Sequence, residues 1–201
     1  MQDRRRQPDA YFEGSGRYKE PKTGLMVVNV HAGDCYVSGS SEEIGATVLG
    51  SCISACIRDP LLKIGGMNHF LLPGEAASQN ESARFGAFAM EQLINEILKR
   101  GGKRERLEVK IFGGGNVIAS SALVGTKNIN FVKQYLLRED MQIVAEHVGG
   151  KWPRKVRYQP NTGKAMVRVL QRDDDFVRVR REEEQYRTKI IKTEDDDVEL
   201  F

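Results

Sequence analysis

No stretch of this sequence approaches the roughly 20 consecutive apolar residues that a bilayer span requires. The arginines of Met1-Gln2-Asp3-Arg4-Arg5-Arg6 lead into Gln7-Pro8-Asp9 instead of an apolar run. These two absences exclude a membrane-inserted helix and a secretory leader, and the expectation is a cytoplasmic protein. Cysteine is scarce: Cys35, Cys52 and Cys56 are the only three. An odd number in a reducing compartment excludes a closed disulfide framework and leaves free thiols. A large charge excess is missing too. The formal net charge is +3, and the basic residues do not cluster with interleaved aromatics, which excludes the footprint of a nucleic-acid binder.

What is present is an ordinary globular balance, 40% apolar and 29% charged over 201 residues, enough for one core with loose ends. Residues 1–24 are polar, with little periodicity, and read as a flexible arm. From 25 to 170 the chain carries regular elements. Leu25 to Val30 and Cys35-Tyr36-Val37 are β-branched or aromatic runs bounded by Gly33-Asp34 and Ser38-Gly39-Ser40. Thr47 to Ile57 reads as a strand, a tight Gly50-Ser51 turn and a short buried segment whose type the periodicity leaves open. Lys63 to Leu72, Leu107 to Phe112 and Met141 to Val148 read as strands, and Val156-Arg157-Tyr158 with Ala165–Leu170 as a hairpin. Apolar residues at spacings of three and four predict helices over Arg84–Arg100, closed by Gly101-Gly102, and Thr126–Arg138. After 171 charges of both signs crowd together, as in Asp173-Asp174-Asp175 and Arg178–Glu184. This predicts a solvated, disordered tail with at most a fragment of helix. Many strands with two helices, without strict β–α alternation, favour an α+β fold with sheet layers covered by helices.

Candidate chemistry begins at Gly50-Ser51-Cys52. A cysteine attacks as its thiolate, so a catalytic one needs local activation. A Gly-Ser turn exposes a thiol and aims backbone N–H groups at the same point, which makes Ser51 and Cys52 candidates for an oxyanion hole. Free cysteine is commonly buried, and on the tripeptide alone a small core residue is the plainer reading. His69, in Gly65-Gly66-Met67-Asn68-His69-Phe70, sits on the next strand, where an imidazole comes within reach of the thiol as a nucleophile–base pair requires. A strand histidine satisfied by backbone stands level with that reading, and is the one retained for His31 and His147. Cys52 and Cys56 have metal-ligand spacing, but nothing nearby completes a four-ligand zinc site. Gly113-Gly114-Gly115-Asn116 follows a strand as a phosphate loop would, without the Gly-Lys-Ser/Thr ending. Its expected role is close backbone approach, to another strand or to a substrate chain.

Taken together, these segments resemble the CheD family of chemoreceptor glutamine deamidases. The resemblance rests on Leu49-Gly50-Ser51-Cys52, Asp59-Pro60, Gly66-Met67-Asn68-His69-Phe70-Leu71-Leu72-Pro73 and Arg84-Phe85-Gly86. It continues through Lys110-Ile111-Phe112-Gly113-Gly114-Gly115-Asn116, Asn128-Ile129, Gly149-Gly150, Arg154-Lys155-Val156 and Thr162-Gly163-Lys164. It implies Cys52 as nucleophile and His69 as base, no metal or organic cofactor, and a layered α+β fold similar to the catalytic domain of cytotoxic necrotising factor toxins. It also implies glutamines on the helical cytoplasmic part of methyl-accepting chemoreceptors as substrates, and a CheC-type phosphatase as a further partner. The threonine that precedes the cysteine in the family pattern falls at Ala46 here, with Thr47 adjacent, so either Thr47 takes its role or the role is absent. Substrate contact by Gly113, Gly114, Gly115 and Asn116 is a further expectation. The rival readings are a non-catalytic adaptor for receptors or the phosphatase, a cysteine hydrolase of another amide, and a nucleotide-binding protein.

Overall fold

The computed structural model describes residues 16–72, 79–117 and 122–196. Its strands are β1 (Arg17–Lys19), β2 (Met26–Asn29), β3 (Cys35–Ser38), β4 (Glu43–Leu49), β5 (Ile53–Asp59), β6 (Ile64–Asn68), β7 (Glu108–Gly113), β8 (Ile143–Val148), β9 (Arg154–Gln159) and β10 (Lys164–Val169). The helices are α1 (Gln79–Lys99), α2 (Ala122–Arg138) and α3 (Asp173–Asp196). The strands form two five-stranded sheets, in the orders β1-β2-β4-β9-β10 and β3-β6-β5-β7-β8.

Position in the sheet accounts for the composition of each strand. β4 and β5 are flanked on both sides and covered on both faces, so nearly every residue in each is buried. That is why the 47–57 segment is small and apolar without a period, and its second half is a strand. β9 has only one face on the core, so Arg154, Val156 and Tyr158 alternate with partly exposed neighbours.

The sheets pack face to face. Val28, Leu49, Val156 and Tyr158 from one meet Tyr36, Cys56, Met67 and Phe112 from the other. The outer face of the second sheet is covered by α1 and α2, through Met90, Leu93, Ile94 and Ile97 on α1 and Val132, Tyr135 and Leu136 on α2. The α+β expectation holds, as three layers: sheet, sheet, helices. Among the described residues, no helix is long and apolar enough to cross a membrane.

Two expectations about the ends change. Within the expected N-terminal arm, Arg17–Lys19 pairs antiparallel with β2 as an edge strand, and Glu20 forms an ion pair with Arg157 at 2.9 Å. Residues 1–15 lie outside the described region. Of the expected disordered tail, residues 197–201 lie outside the described region, and Asp173–Asp196 is the helix α3. Its charges dominate because only a narrow stripe is covered, with Val179 and Glu183 buried and Tyr186 partly so. Charge density hid a stripe too thin to raise mean hydropathy.

Asn68 interrupts the ladder between the two central strands. Regular β5–β6 pairing ends at Cys56↔Met67 and reappears as a single bridge at Ile53↔Phe70. Between these, Ala55 N–H donates to Asn68 Oδ1 at 2.9 Å, while Asn68 Nδ2 donates to the Ala89 carbonyl of α1 at 2.9 Å. The amide therefore bolts the helix layer to the sheet where the two strands part. Asn68→Ala leaves both backbone groups buried without that partner, and each costs about 1–3 kcal/mol. Urea unfolding should show a loss of roughly 2–4 kcal/mol; a loss below about 1 kcal/mol would mean that water replaces the amide.

Candidate functional site

Cys52 stands at the turn between β4 and β5. The carbonyls of this turn are all held from one side. Gly115 N–H donates to Gly50 O at 2.6 Å, Gly114 N–H to Cys52 O at 2.7 Å, and Asn128 Nδ2 of α2 to Ser51 O at 2.8 Å. Because a trans peptide directs its C=O and N–H oppositely, fixing Ser51 O turns the Cys52 N–H the other way. Gly113 must lack a side chain: its φ is 110°, and a Cβ there would lie 2.1 Å from Cys52 O. Gly113, Gly114 and Gly115 are therefore buried beneath the Cys52 turn, which is the backbone-approach alternative for this loop; Asn116 alone of the four is exposed.

The amides on the far side converge on a carboxylate. Glu183 Oε1 accepts from Gly50 N–H at 3.2 Å and from Cys52 N–H at 3.0 Å, and Glu183 Oε2 accepts from Ser51 Oγ at 2.8 Å. Ser51 thus contributes its hydroxyl to this cradle, and the Gly50 amide joins it. A Cβ at Gly50 would lie 2.8 Å from Glu183 Oε1 and 2.9 Å from Val117 Cγ2, so the glycine makes the room.

His69 follows β6. The register that pairs Ile53 with Phe70 sets His69 diagonal to Cys52 on the face between the sheets, a separation that long side chains bridge. Its Nδ1 lies 2.8 Å from Thr47 Oγ1 and 3.3 Å from the Val30 carbonyl, while Thr47 Oγ1 donates to that same carbonyl at 2.6 Å. A carbonyl only accepts, and the Thr47 proton is committed to it, so Nδ1 carries the imidazole proton. Nε2 is then a bare lone pair, buried and, among the described residues, without a hydrogen-bond partner. Thr47, not Ala46, reaches the histidine; the Ala46 side chain packs with Val27 and Ile44. Burial holds the imidazole neutral, pushing its pKa down to about 4.

The thiol differs from the expectation of local activation. Cys52 is fully buried, and burial together with the adjacent Glu183 carboxylate holds its pKa well above the ordinary thiol value. The turn amides that would favour a thiolate are engaged by Glu183. Beside them a cavity of about 310 Å³ is bounded by His31, Val48, His69, Val179, Glu183 and Tyr186, so α3 forms one wall. Glu182, next to the inserted residue, is raised to about 7 by burial and by Glu183.

The remaining candidates lie apart. Cys56 points into the sheet interface, its thiol pushed up to about 12 by burial. His147 pairs through Nδ1 with Arg154 at 2.8 Å. Among the described residues no group of three or more His, Cys, Asp or Glu side chains assembles around a metal position. Sequence reasoning missed Glu183, and it named Asn128 only within the family resemblance, with no role. Asn128 had a signal, a polar residue on the apolar stripe of α2; Glu183 had none, being one acid among Glu182, Glu183 and Glu184.

Comparison with known proteins gives the family. The family model described as CheD chemotactic sensory transduction matches residues 71–169. A probable chemoreceptor glutamine deamidase CheD of Rhodopseudomonas palustris is 48% identical over 178 residues, which is 87% of this chain and 83% of that one. The protein of the same printed name from Hahella chejuensis is 44% identical over 95% of this chain and 92% of its own. Among solved structures, a Neisseria meningitidis protein of the DUF152 family overlaps 64% of each chain at 9% identity with a TM-score of 0.41, too slight a likeness to build on. The identity to the first two relatives, sustained over most of both chains, with the Cys52 turn and the His69–Thr47 pair in one site, means that this chain belongs to the CheD family.

Proposed function

We propose that this chain hydrolyses the side-chain amide of glutamines on chemoreceptors through Cys52, His69 and Thr47. The observation that carries the reading is the cradle at the Cys52 turn: two amides and a hydroxyl hold a glutamate carboxylate, the product of the reaction, against the thiol. With a substrate carboxamide there instead, the Gly50 and Cys52 N–H groups stabilise the oxyanion. Nε2 of His69 takes the thiol proton, Nδ1–H being fixed on Thr47 and Val30. The thiolate adds to the amide carbon, the C–N bond breaks, and His69 returns the proton to departing ammonia. Water, deprotonated by His69, then cleaves the thioester to give glutamate and regenerate the thiol. The residues named complete this cycle by acid–base and nucleophilic steps alone. In this reading Asn116 meets the substrate chain; its exposure, beside the buried Gly113, Gly114 and Gly115, supports that role.

The names of the relatives support the reaction and the receptor as substrate. Cytoplasmic residence, a CheC-type phosphatase partner and likeness to the cytotoxic necrotising factor catalytic domain belong to the same reading. The face-to-face sheets with cysteine at a strand end support the last of these. One observation favours a second reading, a non-catalytic adaptor: Cys52 is entirely buried.

Incubating a receptor cytoplasmic fragment with the protein should release ammonia and raise the mass of particular glutamine peptides, and Cys52→Ala should end both. Ammonia release by Cys52→Ala would sink the assignment, and binding without any mass change would favour the adaptor. Thr47→Val should lower kcat about tenfold to a hundredfold with KM little changed, since it unfixes the imidazole without touching substrate. An unchanged kcat would remove Thr47 from the mechanism.

His69 also sets a pH dependence of stability. Its native pKa of about 4 lies below the ordinary 6.5, so acid protonates the unfolded chain first. Its contribution is complete above pH 6.5 and falls away toward pH 4, a loss of roughly 3 kcal/mol across the window. Urea midpoints between these pH values should fall less steeply for His69→Asn; parallel slopes would refute a buried neutral imidazole.

A further inference from the structure

The Cys52 cradle is filled by a residue from the far end of the chain. Burying a carboxylate is costly unless donors replace its water, and the donors that receive Glu183 belong to the Cys52 turn. The flanking Glu182 and Glu184 are partly or fully exposed, so the insertion is specific to one acid of three. Two contacts a turn away fix its register. Val179 is buried with Val48 and Leu170, and Tyr186 lies over Gly33, where a Cβ would come within 2.9 Å of its hydroxyl. Val179, Glu183 and Tyr186 are spaced as one face of a helix.

The cradle also matches an amide. An oxygen at Oε1 accepts from two N–H groups, and the Ser51 hydroxyl at the second position donates to a carboxylate but equally accepts from an amide N–H. We infer that α3 is a tethered product mimic: Glu183 occupies the subsite that takes the substrate glutamine, and the groove beneath α3 is where a helix bearing that glutamine docks. The inference rests on the deamidase reading and deepens it. The groove selects a glutamine with a small apolar residue one turn before it, over Val48 and Leu170, and an aromatic one turn after it, over Gly33. A receptor helix must displace α3 to reach Cys52, so the resting protein is closed.

The test replaces the mimic's acid by the amide. In full-length Glu183→Gln, the peptide containing position 183 is followed by mass spectrometry, alone and with Cys52→Ala added. The thiolate should convert the introduced amide to the acid with loss of ammonia and uptake of water. The rate should not depend on protein concentration, and the gain should be absent with Cys52→Ala. No gain, in a preparation that still deamidates a receptor fragment, overturns the inference and leaves the deamidase reading standing. If neither amide reacts, the deamidase reading has failed and alkylation of Cys52 by iodoacetamide judges the occupancy of the groove. Val179→Asp, or the milder Tyr186→Ala, should then speed labelling about tenfold or more over the parent. Unchanged labelling in both overturns the occupancy.

Discussion

The three carbonyls of Gly50, Ser51 and Cys52 are all held by the loop after β7 and by α2, and the site depends on that one-sidedness. A peptide plane with its oxygen fixed has its hydrogen fixed too. Asn128, far from Cys52 in sequence, thus aims the Cys52 N–H through the Ser51 carbonyl, while Gly114 and Gly115 hold the carbonyls on either side and so brace the turn. Gly113 permits the approach because any side chain would strike the Cys52 carbonyl. The layered architecture follows from the same contact. α2 must lie on the outer face of the second sheet for Asn128 to reach both Ser51 O and Leu72 N–H, the latter at 3.0 Å. One side chain therefore joins the cysteine turn to the strand segment carrying His69.

Burial governs the chemistry of the pair. Desolvation penalises whichever form is charged, so it raises the thiol and lowers the imidazole. Both groups are therefore held neutral, not as a preformed ion pair. In the proposed mechanism the thiol proton passes to Nε2 only when the substrate is bound. Glu183 reinforces the neutral thiol, because a second negative charge beside the sulfur opposes thiolate formation. Burial of this kind shields the Cys52 thiol from adventitious alkylation and oxidation.

Legibility in the sequence tracked locality. β2, β3, β7, β8 and the β9–β10 hairpin were read within a residue or two because β-branched runs and Gly or Pro boundaries act over a few residues. α1 and α2 were recognised, but their starts at Gln79 and Ala122 come earlier than the periodicity indicated, since the first turn of α1, Gln79-Asn80-Glu81-Ser82, is polar and that of α2, Ala122-Leu123-Val124-Gly125, is a continuous run of apolar and small residues with no polar face. The candidates Cys52 and His69 were visible as motif residues. The choice of Thr47 over Ala46 was not, because it depends on which face of β4 meets Val30 and His69.

The sequence by itself determined the local elements, the α+β class, and the cysteine and histidine as the pair to examine. Periodicity and turn chemistry are short-range, and motif spacing is linear. Only the tertiary structure decided that the glycine loop braces the cysteine turn, that Nδ1 of His69 bears the proton, and that a charged terminal segment is a helix with one carboxylate in the site. Glu183 lies 131 positions from Cys52. Among so many surface acids, only the donors it meets in the folded chain distinguish it, and no local pattern encodes a partner that distant.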